Sequence, residues 1–165
     1  MRVIIINGPM GAGKTAVGRC IADMCPRTAF IDGDWCMDLH PFVGSREMKD
    51  IAVDNILHMI SNYRSCSVCD MVVVAWLMDE DRVRDELIDG IRSIGAEVEN
   101  VTLVCDEGRL RERWQQDKSC PWRTDEWLKV SLRSLSYFRD KEDTIDTTSL
   151  GVEDTAKLMM QRIGG

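Results

Sequence analysis

A chain of 165 residues has room for one domain with a substantial core, and we expect residues 1–165 to form that single domain. Its composition, 44% hydrophobic and 30% charged, is that of a soluble globular protein, and it includes no repeat or low-complexity tract. A net charge of −7 argues against a nucleic-acid backbone or an anionic membrane surface as partner, because either requires a basic cluster and none stands out.

The first predicted element is a strand over residues 3–6, a continuous β-branched run that ends at Asn7 and Gly8. Such a run is typical of a strand buried on both faces of a sheet. The apolar start is too short for a signal-peptide core or a membrane span, so we expect a cytoplasmic protein. Seven cysteines, an odd number with no export signal, indicate reduced thiols rather than disulfides.

A glycine-rich segment follows this strand and matches G-x-x-x-x-G-K-[ST], the Walker A pattern, at every fixed position. Its members are Gly8, Pro9, Met10, Gly11, Ala12, Gly13, Lys14 and Thr15. Apolar residues at helical spacing after Thr15 predict a helix that Pro26 ends. Strand, glycine loop and helix together form a P-loop, whose backbone N–H groups bind phosphate. We therefore predict ATP binding, with Lys14 on the β- and γ-phosphates and Thr15 ligating Mg²⁺.

Residues 28–31 predict a second strand, followed by Asp32-Gly33-Asp34. The carboxyl edge of an open α/β sheet is where ligands bind, so these carboxylates are candidate site residues. A carboxylate beside a metal offsets its charge, and a second one can accept the proton of an attacking hydroxyl. The alternative is an ordinary Asp-Gly turn in which Asp34 caps a neighbouring element.

The remaining pattern alternates strands and helices, which predicts a parallel five-stranded sheet with helices on both faces. The further predicted strands are residues 71–76, 98–105 and 144–146, and the further helices are marked by apolar spacing over residues 48–63, 83–94, 128–135 and 152–163. Residues 106–124 carry several arginines among few periodic apolar positions, and we expect a mobile cationic flap there.

Other P-loop classes fit the sequence less well. A GTPase requires an Asn-Lys-x-Asp loop, which the chain lacks, and a motor ATPase requires a longer chain with an acidic residue at the tip of a strand. The third predicted strand ends without a carboxylate at its tip. A nucleotide-binding regulatory ATPase stays open as an alternative of another class.

The P-loop and the Asp-Gly-Asp together resemble the small P-loop kinases related to gluconate, shikimate, adenylylsulfate and nucleoside monophosphate kinases. The resemblance implies a three-layer P-loop NTPase sandwich with a short lid, here about residues 106–124, and ATP with Mg²⁺ as cofactors. It implies that Asp32 joins Thr15 in the Mg²⁺ shell and that Asp34 contacts the acceptor hydroxyl, acting as its base.

The segment after the fourth strand resembles the helix that leads into the lid of those kinases. Lid arginines neutralise the charge on the transferred phosphoryl group, and we expect Arg113 in this catalytic role with Arg109 as a second nucleotide contact. Asp117 stands where the family has a further arginine, which leaves Lys118 or Arg123 as substitutes. A solvated helix face is the alternative for this group. The resemblance also places the loop containing Thr147 against the adenine.

The predicted activity is transfer of the γ-phosphate of ATP to a small-molecule acceptor, more readily a hydroxyl than a phosphate, by a monomer or homodimer. A nucleoside monophosphate kinase is the alternative, and it would need several cations on the acceptor side. The residues nominated for that side are Asp34, Trp35, Arg46, Asn55, Arg64 and Trp76.

Overall fold

The computed structural model of the chain describes residues 1–117 and 123–164. Its strands are β1 Arg2–Asn7, β2 Thr28–Asp32, β3 Met71–Ala75, β4 Glu97–Val104 and β5 Thr144–Asp146. Its helices are α1 Lys14–Met24, α2 Arg46–Arg64, α3 Asp81–Ser93, α4 Glu107–Gln116, α5 Asp125–Arg139 and α6 Val152–Gly164. A short 3-10 helix, Gly33–Met37, follows β2 and was not predicted from the sequence.

The five strands form one parallel sheet in the order β2-β3-β1-β4-β5, which confirms the predicted fold class. β1 is central, and its β-branched side chains alternate between two cores. Val3 and Ile5 pack with α2 and α3 on one face. Ile4 and Ile6 pack with α1 and α6 on the other face. Burial on both faces explains why the sequence of β1 is apolar without alternation.

The carboxyl ends of the strands carry the predicted site. The P-loop connects β1 to α1, and the Asp-Gly-Asp lies where β2 ends and the 3-10 helix begins. Because β3 alone separates β1 from β2, the two motifs lie above adjacent parts of one sheet edge. Parallel strands thus bring together residues that are about twenty positions apart in sequence.

The segment predicted as a mobile flap is helical in its first half, as its resemblance to the helix that leads into a kinase lid implied. Residues 107–116 form helix α4, in which Leu110 and Trp114 are buried. Two apolar side chains one turn apart are enough to fix this short helix, because they pack on the P-loop itself. Lys118 lies outside the described residues, so the lid boundary of about 106–124 stays a prediction.

Two further features concern a helix terminus and the cysteines. Gly95 follows α3 with a left-handed φ of 80°, a conformation that favours glycine just after the end of a helix. All six cysteines within residues 1–117 and 123–164 are free thiols. Within the same residues, the helices are either too short or too polar to cross a bilayer.

Candidate active site

The P-loop backbone is shaped by glycines at left-handed φ angles. Gly8 has φ 136°, and a Cβ there would lie 2.2 Å from the carbonyl oxygen of Leu103 on β4. Gly13, with φ 98°, immediately precedes α1. Both conformations favour glycine, which explains the two fixed glycines of the motif. Residues 10–15 line a cleft of about 850 Å³, and Gly8 and Pro9 are not part of its lining.

Asn7 supports the P-loop through side-chain hydrogen bonds, and this role was not predicted from the sequence. Its side chain is buried, its Oδ1 accepts hydrogen bonds from the backbone N–H groups of Gly8 (2.8 Å) and Met78 (2.9 Å), and its Nδ2 donates to Met78 O (3.1 Å). These bonds tie the start of the P-loop to the segment after β3. The signal that could have revealed it is a polar residue ending an otherwise apolar buried strand.

Two helices support the P-loop from the other side. A Cβ on Gly11 would approach Leu110 of α4 to 3.1 Å and Trp114 to 3.3 Å. Ser131 of α5 donates a hydrogen bond of 2.7 Å from Oγ to Met10 O. The loop is therefore held in one conformation by contacts on both sides. Neither support was predicted, because they join segments distant in sequence.

Lys14 lies inside the cleft with its ammonium bonded to the loop's own carbonyls, Gly8 O at 2.8 Å and Pro9 O at 2.9 Å. Desolvation lowers the pKa of Lys14 to about 8, opposed by Asp34 and Asp32 and reinforced by Arg123. An ammonium with so little solvation gains most from an anionic ligand that replaces water. Its position agrees with the predicted role as a phosphate ligand.

Thr15 and Asp32 meet at the floor of the cleft, where Thr15 Oγ1 donates to Asp32 Oδ2 at 3.1 Å. Hard oxygen donors such as these suit Mg²⁺, which takes one or two protein ligands and completes its shell with water and phosphate oxygens. No cluster of three or more His, Cys, Asp or Glu side chains that could hold a metal occurs among the described residues. The donor set thus fits a Mg²⁺ carried in with a nucleotide rather than a metal caged by protein.

Asp34 follows at the start of the 3-10 helix, where its backbone N–H donates to Asp32 Oδ1 at 3.2 Å. Asp32 therefore caps this helix and sets the direction in which Asp34 leaves β2. Desolvation in the cleft raises the pKa of Asp34, Lys14 opposes this rise, and Asp32 adds to it. The structure brings Lys14, Thr15, Asp32 and Asp34 into one cleft, as the sequence predicted.

Trp76 has a structural position rather than an open stacking face. Only 3% of its surface is exposed, and a Cβ on Gly33 would overlap its ring at 2.2 Å from Cγ. The Asp-Gly-Asp segment thus lies directly on the indole. This close approach explains the glycine at position 33, and it places Trp76 against the Asp-Gly-Asp segment. Trp35 is the exposed tryptophan of this region.

Arg113 donates hydrogen bonds to two separate loops, the P-loop and the loop that follows β5. Its Nη1 donates to Ala12 O and Thr147 Oγ1, both at 3.0 Å, and its Nη2 donates to Thr147 O at 2.9 Å and Leu150 O at 3.3 Å. Thr147 is buried and its Oγ1 donates to Val104 O at the end of β4 (2.9 Å). The guanidinium therefore connects the P-loop to the loop predicted to contact adenine.

Two other arginines of the segment line the same cleft. Arg109 lines it and pairs with Glu112 on its own helix. Arg123 also lines it, pairs with Asp117, and stacks at 5.2 Å over the ring of Trp114. Asp117, at the position where the resembled kinases have an arginine, thus holds an arginine from beyond the helix.

Three of the residues nominated for the acceptor side lie elsewhere or contact other groups. Arg64 lies at the amino end of the sheet, near Arg2 and Gly95, which is the end opposite the site. Arg46 begins α2 and does not line the cleft. Asn55 donates from Nδ2 to Cys36 O at 2.8 Å and fixes the 3-10 helix on α2. Because α2 connects two parallel strands, it runs antiparallel to them, and its last residue, Arg64, comes to the amino end of the sheet.

Solved structures similar to this chain cover nearly all of it. A tunicamycin resistance protein of Deinococcus radiodurans aligns with a TM-score of 0.74 and 19% identity over 99% of this chain and 95% of that one. A gluconokinase of Sinorhizobium meliloti aligns with a TM-score of 0.71 and 20% identity over 98% of this chain and 92% of that one. The chain has the fold of the small P-loop kinases. A shikimate kinase of Bacteroides thetaiotaomicron aligns with a TM-score of 0.71 and 17% identity over 99% of this chain and 98% of that one.

Sequence similarity to this fold group is local. A segment of 49 residues is 45% identical to a shikimate kinase of Psychrobacter arcticus and covers 30% of this chain but 23% of that protein. No protein-family model matches the chain. At these levels the comparisons establish the small P-loop kinase fold, and they confirm the resemblance drawn from the P-loop and the Asp-Gly-Asp.

Proposed function

We propose that this protein is an ATP-dependent kinase that transfers the γ-phosphate of ATP to a hydroxyl group of a small molecule, and that residues 1–165 form one kinase domain with its lid near residues 106–124. The observation that carries the proposal is the placement of Asp34 in the same cleft as Lys14, Thr15 and Asp32. The neighbours of the same fold include a gluconokinase and a shikimate kinase, which supports phosphoryl transfer to a small molecule.

On the nucleotide side, the P-loop N–H groups and the N-terminus of α1 bind the phosphates, and Lys14 exchanges its bonds to Gly8 O and Pro9 O for phosphate oxygens. Thr15 and Asp32 would hold Mg²⁺, which when bound neutralises charge on the transferred phosphoryl group. Thr147 and its neighbours would contact the base.

On the acceptor side, Asp34 orients a hydroxyl and accepts its proton as the oxygen attacks phosphorus. Lys14 compensates the negative charge near Asp34, so the carboxylate can ionise in spite of its neighbour Asp32. In-line displacement would require this base to lie on the opposite side of the transferred group from the leaving phosphates.

The positions of the nominated arginines argue against the alternative, a nucleoside monophosphate kinase. Such an enzyme would have to hold the acceptor phosphate with cations, yet Arg64 lies at the far end of the sheet and Arg46 does not line the cleft. A regulatory ATPase would lack an acceptor altogether. The reaction is tested by measuring ADP release from Mg·ATP with and without candidate sugars, sugar acids, nucleosides, nucleoside monophosphates and aminoglycosides. Release that no acceptor stimulates contradicts the kinase proposal.

The contacts of two arginines predict opposite kinetic effects. Arg113 is bonded to the nucleotide-side loops, so Arg113→Ala is expected to weaken ATP binding by about tenfold, the effect of about 1.4 kcal/mol, with a smaller change in turnover. Arg123 lines the cleft beside Lys14, so Arg123→Ala is expected to lower turnover by about tenfold with a smaller change in ATP affinity.

Steady-state kinetics and direct ATP titration on the two variants measure this difference. Arg111→Ala is the matched control, because Arg111 lies on the same helix, pairs with Glu107 and does not line the cleft. If Arg113→Ala instead lowers turnover at normal ATP affinity, Arg113 acts on the transition state, as the sequence alone suggested.

A further inference from the structure

The part of the cleft that lies along the end of β2, here called the acceptor end, is lined by more acidic than basic side chains. Where the cleft continues past the P-loop along the end of β2, its lining includes Asp32, Asp34, Trp35 and Asp38. Two cations of the described lining lie near these residues: Lys14, whose charge acts on Asp34, and Arg19 of α1, whose guanidinium stacks over the rings of Phe30 (4.8 Å) and Trp35 (5.8 Å). Carboxylates thus outnumber cations around the position where an acceptor would lie.

A neighbouring cavity extends this end of the cleft and has the same character. It has a volume of about 630 Å³, lies between β2 and α2, and shares Asp32 and Trp35 with the cleft. Its polar lining consists of acids, amides and an imidazole. These are Asp32, Asp54, Asn55, His58 and Asn62, and no Lys or Arg occurs among the described residues that line it.

Two cations on α2 and α3, Lys49 and Arg82, are paired with acids. Lys49 pairs with Asp79 and Glu80 at 3.0 and 2.7 Å. Arg82 pairs with Asp50 and Glu86 at 3.0 and 2.8 Å. To recruit any of them, an anionic acceptor would have to break an existing pair. An anionic group would instead meet the carboxylates of Asp34 and Asp38, which repel it.

Trp35 supplies the other recognition surface. It immediately follows Asp34, and 74% of its surface is exposed at the mouth of the cleft. An indole that faces an open site binds the apolar face of a ring while the ring's hydroxyls stay hydrated or hydrogen-bonded. Because Trp35 and Asp34 line the same cleft, a ring on the indole would have its hydroxyls within the cleft that holds the carboxylate.

We propose that the acceptor is a polyhydroxylated ring compound without a phosphate or carboxylate group, held with one face against Trp35 while Asp34 receives its reactive hydroxyl. Any amino group on it would be stabilised by Asp38 or Asp54. This proposal rests on the kinase function proposed above and names its substrate class. It separates this protein from a kinase of sugar acids or of nucleotides.

The test uses pairs of compounds that differ mainly in an anionic group: glucose with glucuronate, methyl shikimate with shikimate, and uridine with uridine 5′-monophosphate. Phosphoryl transfer from Mg·ATP and melting with Mg·ADP are measured for each compound. We expect at least one uncharged member to be bound and phosphorylated, and preferred over its anionic partner by about tenfold or more. A preference for the anionic member of a pair, or no uncharged member bound in any pair, overturns the inference.

Substitutions test whether Trp35 and Asp38 determine the choice of acceptor. Trp35→Ala should weaken binding of the preferred acceptor by about tenfold, which Trp35→Phe should largely restore, while ATP affinity is unchanged. Trp127→Ala is the control, since Trp127 is exposed on α5 and lines neither cavity. Asp38→Lys should raise the relative use of anionic members. An acceptor that is indifferent to both Trp35→Ala and Asp38→Lys overturns the assignment.

The outcomes also distinguish the two levels of the proposal. Transfer to an anionic compound in place of its uncharged partner leaves the kinase function standing and removes only the substrate class. Melting shifts with nucleotide but no transfer to any compound contradict the kinase function itself, and with it the substrate class.

Discussion

Replacing Asp34 by Asn is expected to reduce phosphoryl transfer by about 10²- to 10⁴-fold, the usual contribution of a general base. Asparagine keeps the shape and part of the hydrogen bonding but cannot accept the proton of the attacking hydroxyl. ATP binding should survive, because the nucleotide contacts come from the P-loop and from the loops that Arg113 connects. The measurements are transfer to the best acceptor of the screen and ATP affinity by titration.

Two further variants make the Asp34 result specific. Asp32→Asn should raise the Mg²⁺ concentration needed for activity, since Asp32 contacts Thr15 at the proposed metal position. Asp89→Asn, on the exposed surface of α3, removes the same charge away from the site and should have no effect. Transfer by Asp34→Asn close to wild type would remove the base assignment and favour a phosphate acceptor, which is already ionised and needs little base.

Replacing Lys14 by Ala is expected to abolish most of the stabilisation that Mg·ATP gives to the fold. At a concentration of about one hundred times its dissociation constant, a ligand that binds only the native state adds about 2.7 kcal/mol, which raises the melting temperature of a chain of this size by about 5–10 °C. Lys14 has little solvation to lose and two loop carbonyls to exchange for phosphate oxygens, so its removal weakens phosphate binding directly.

The readout is the shift between melts with and without Mg·ATP, since Lys14→Ala also removes bonds within the unliganded loop. Lys157→Ala is the matched control, because Lys157 is an exposed lysine on α6 that pairs with Glu153 at 3.7 Å. An unchanged midpoint for the wild type, or a shift in Lys14→Ala equal to that of the wild type, contradicts the assignment of the P-loop to ATP.

The sheet and the grouping of the candidate site residues near it could be predicted from the sequence because their signals are local. The β-branched run of β1, the fixed glycines at positions 8 and 13 and the carboxylates after β2 each lie within a few residues of one another. Parallel strands then bring these segments to one edge, so Lys14, Thr15, Asp32 and Asp34 meet as expected. The topology converts local motifs into a site.

What the sequence could not predict depends on contacts between distant segments. Asn7 bonds to Met78, Ser131 bonds to Met10, and Arg113 connects Ala12 to Thr147. The nomination of Arg64 for the acceptor side was wrong for a different reason. Helix α2 runs antiparallel to the parallel strands that it connects, so its last residue comes to the amino end of the sheet. The predicted helix and the predicted parallel sheet together already imply this position.

Gly33 packs so closely on Trp76 that the sizes of the residues at these two positions depend on each other. No atom can be added at position 33 unless the residue at position 76 becomes smaller, because the ring already fills the space that a Cβ would occupy. A glycine between the two carboxylates is thus dictated by the tip of β3 rather than by the chemistry of phosphoryl transfer. In homologous chains the sizes of these two residues should covary, and enzymes with a small residue at the end of β3 should be free to carry a side chain between their two aspartates.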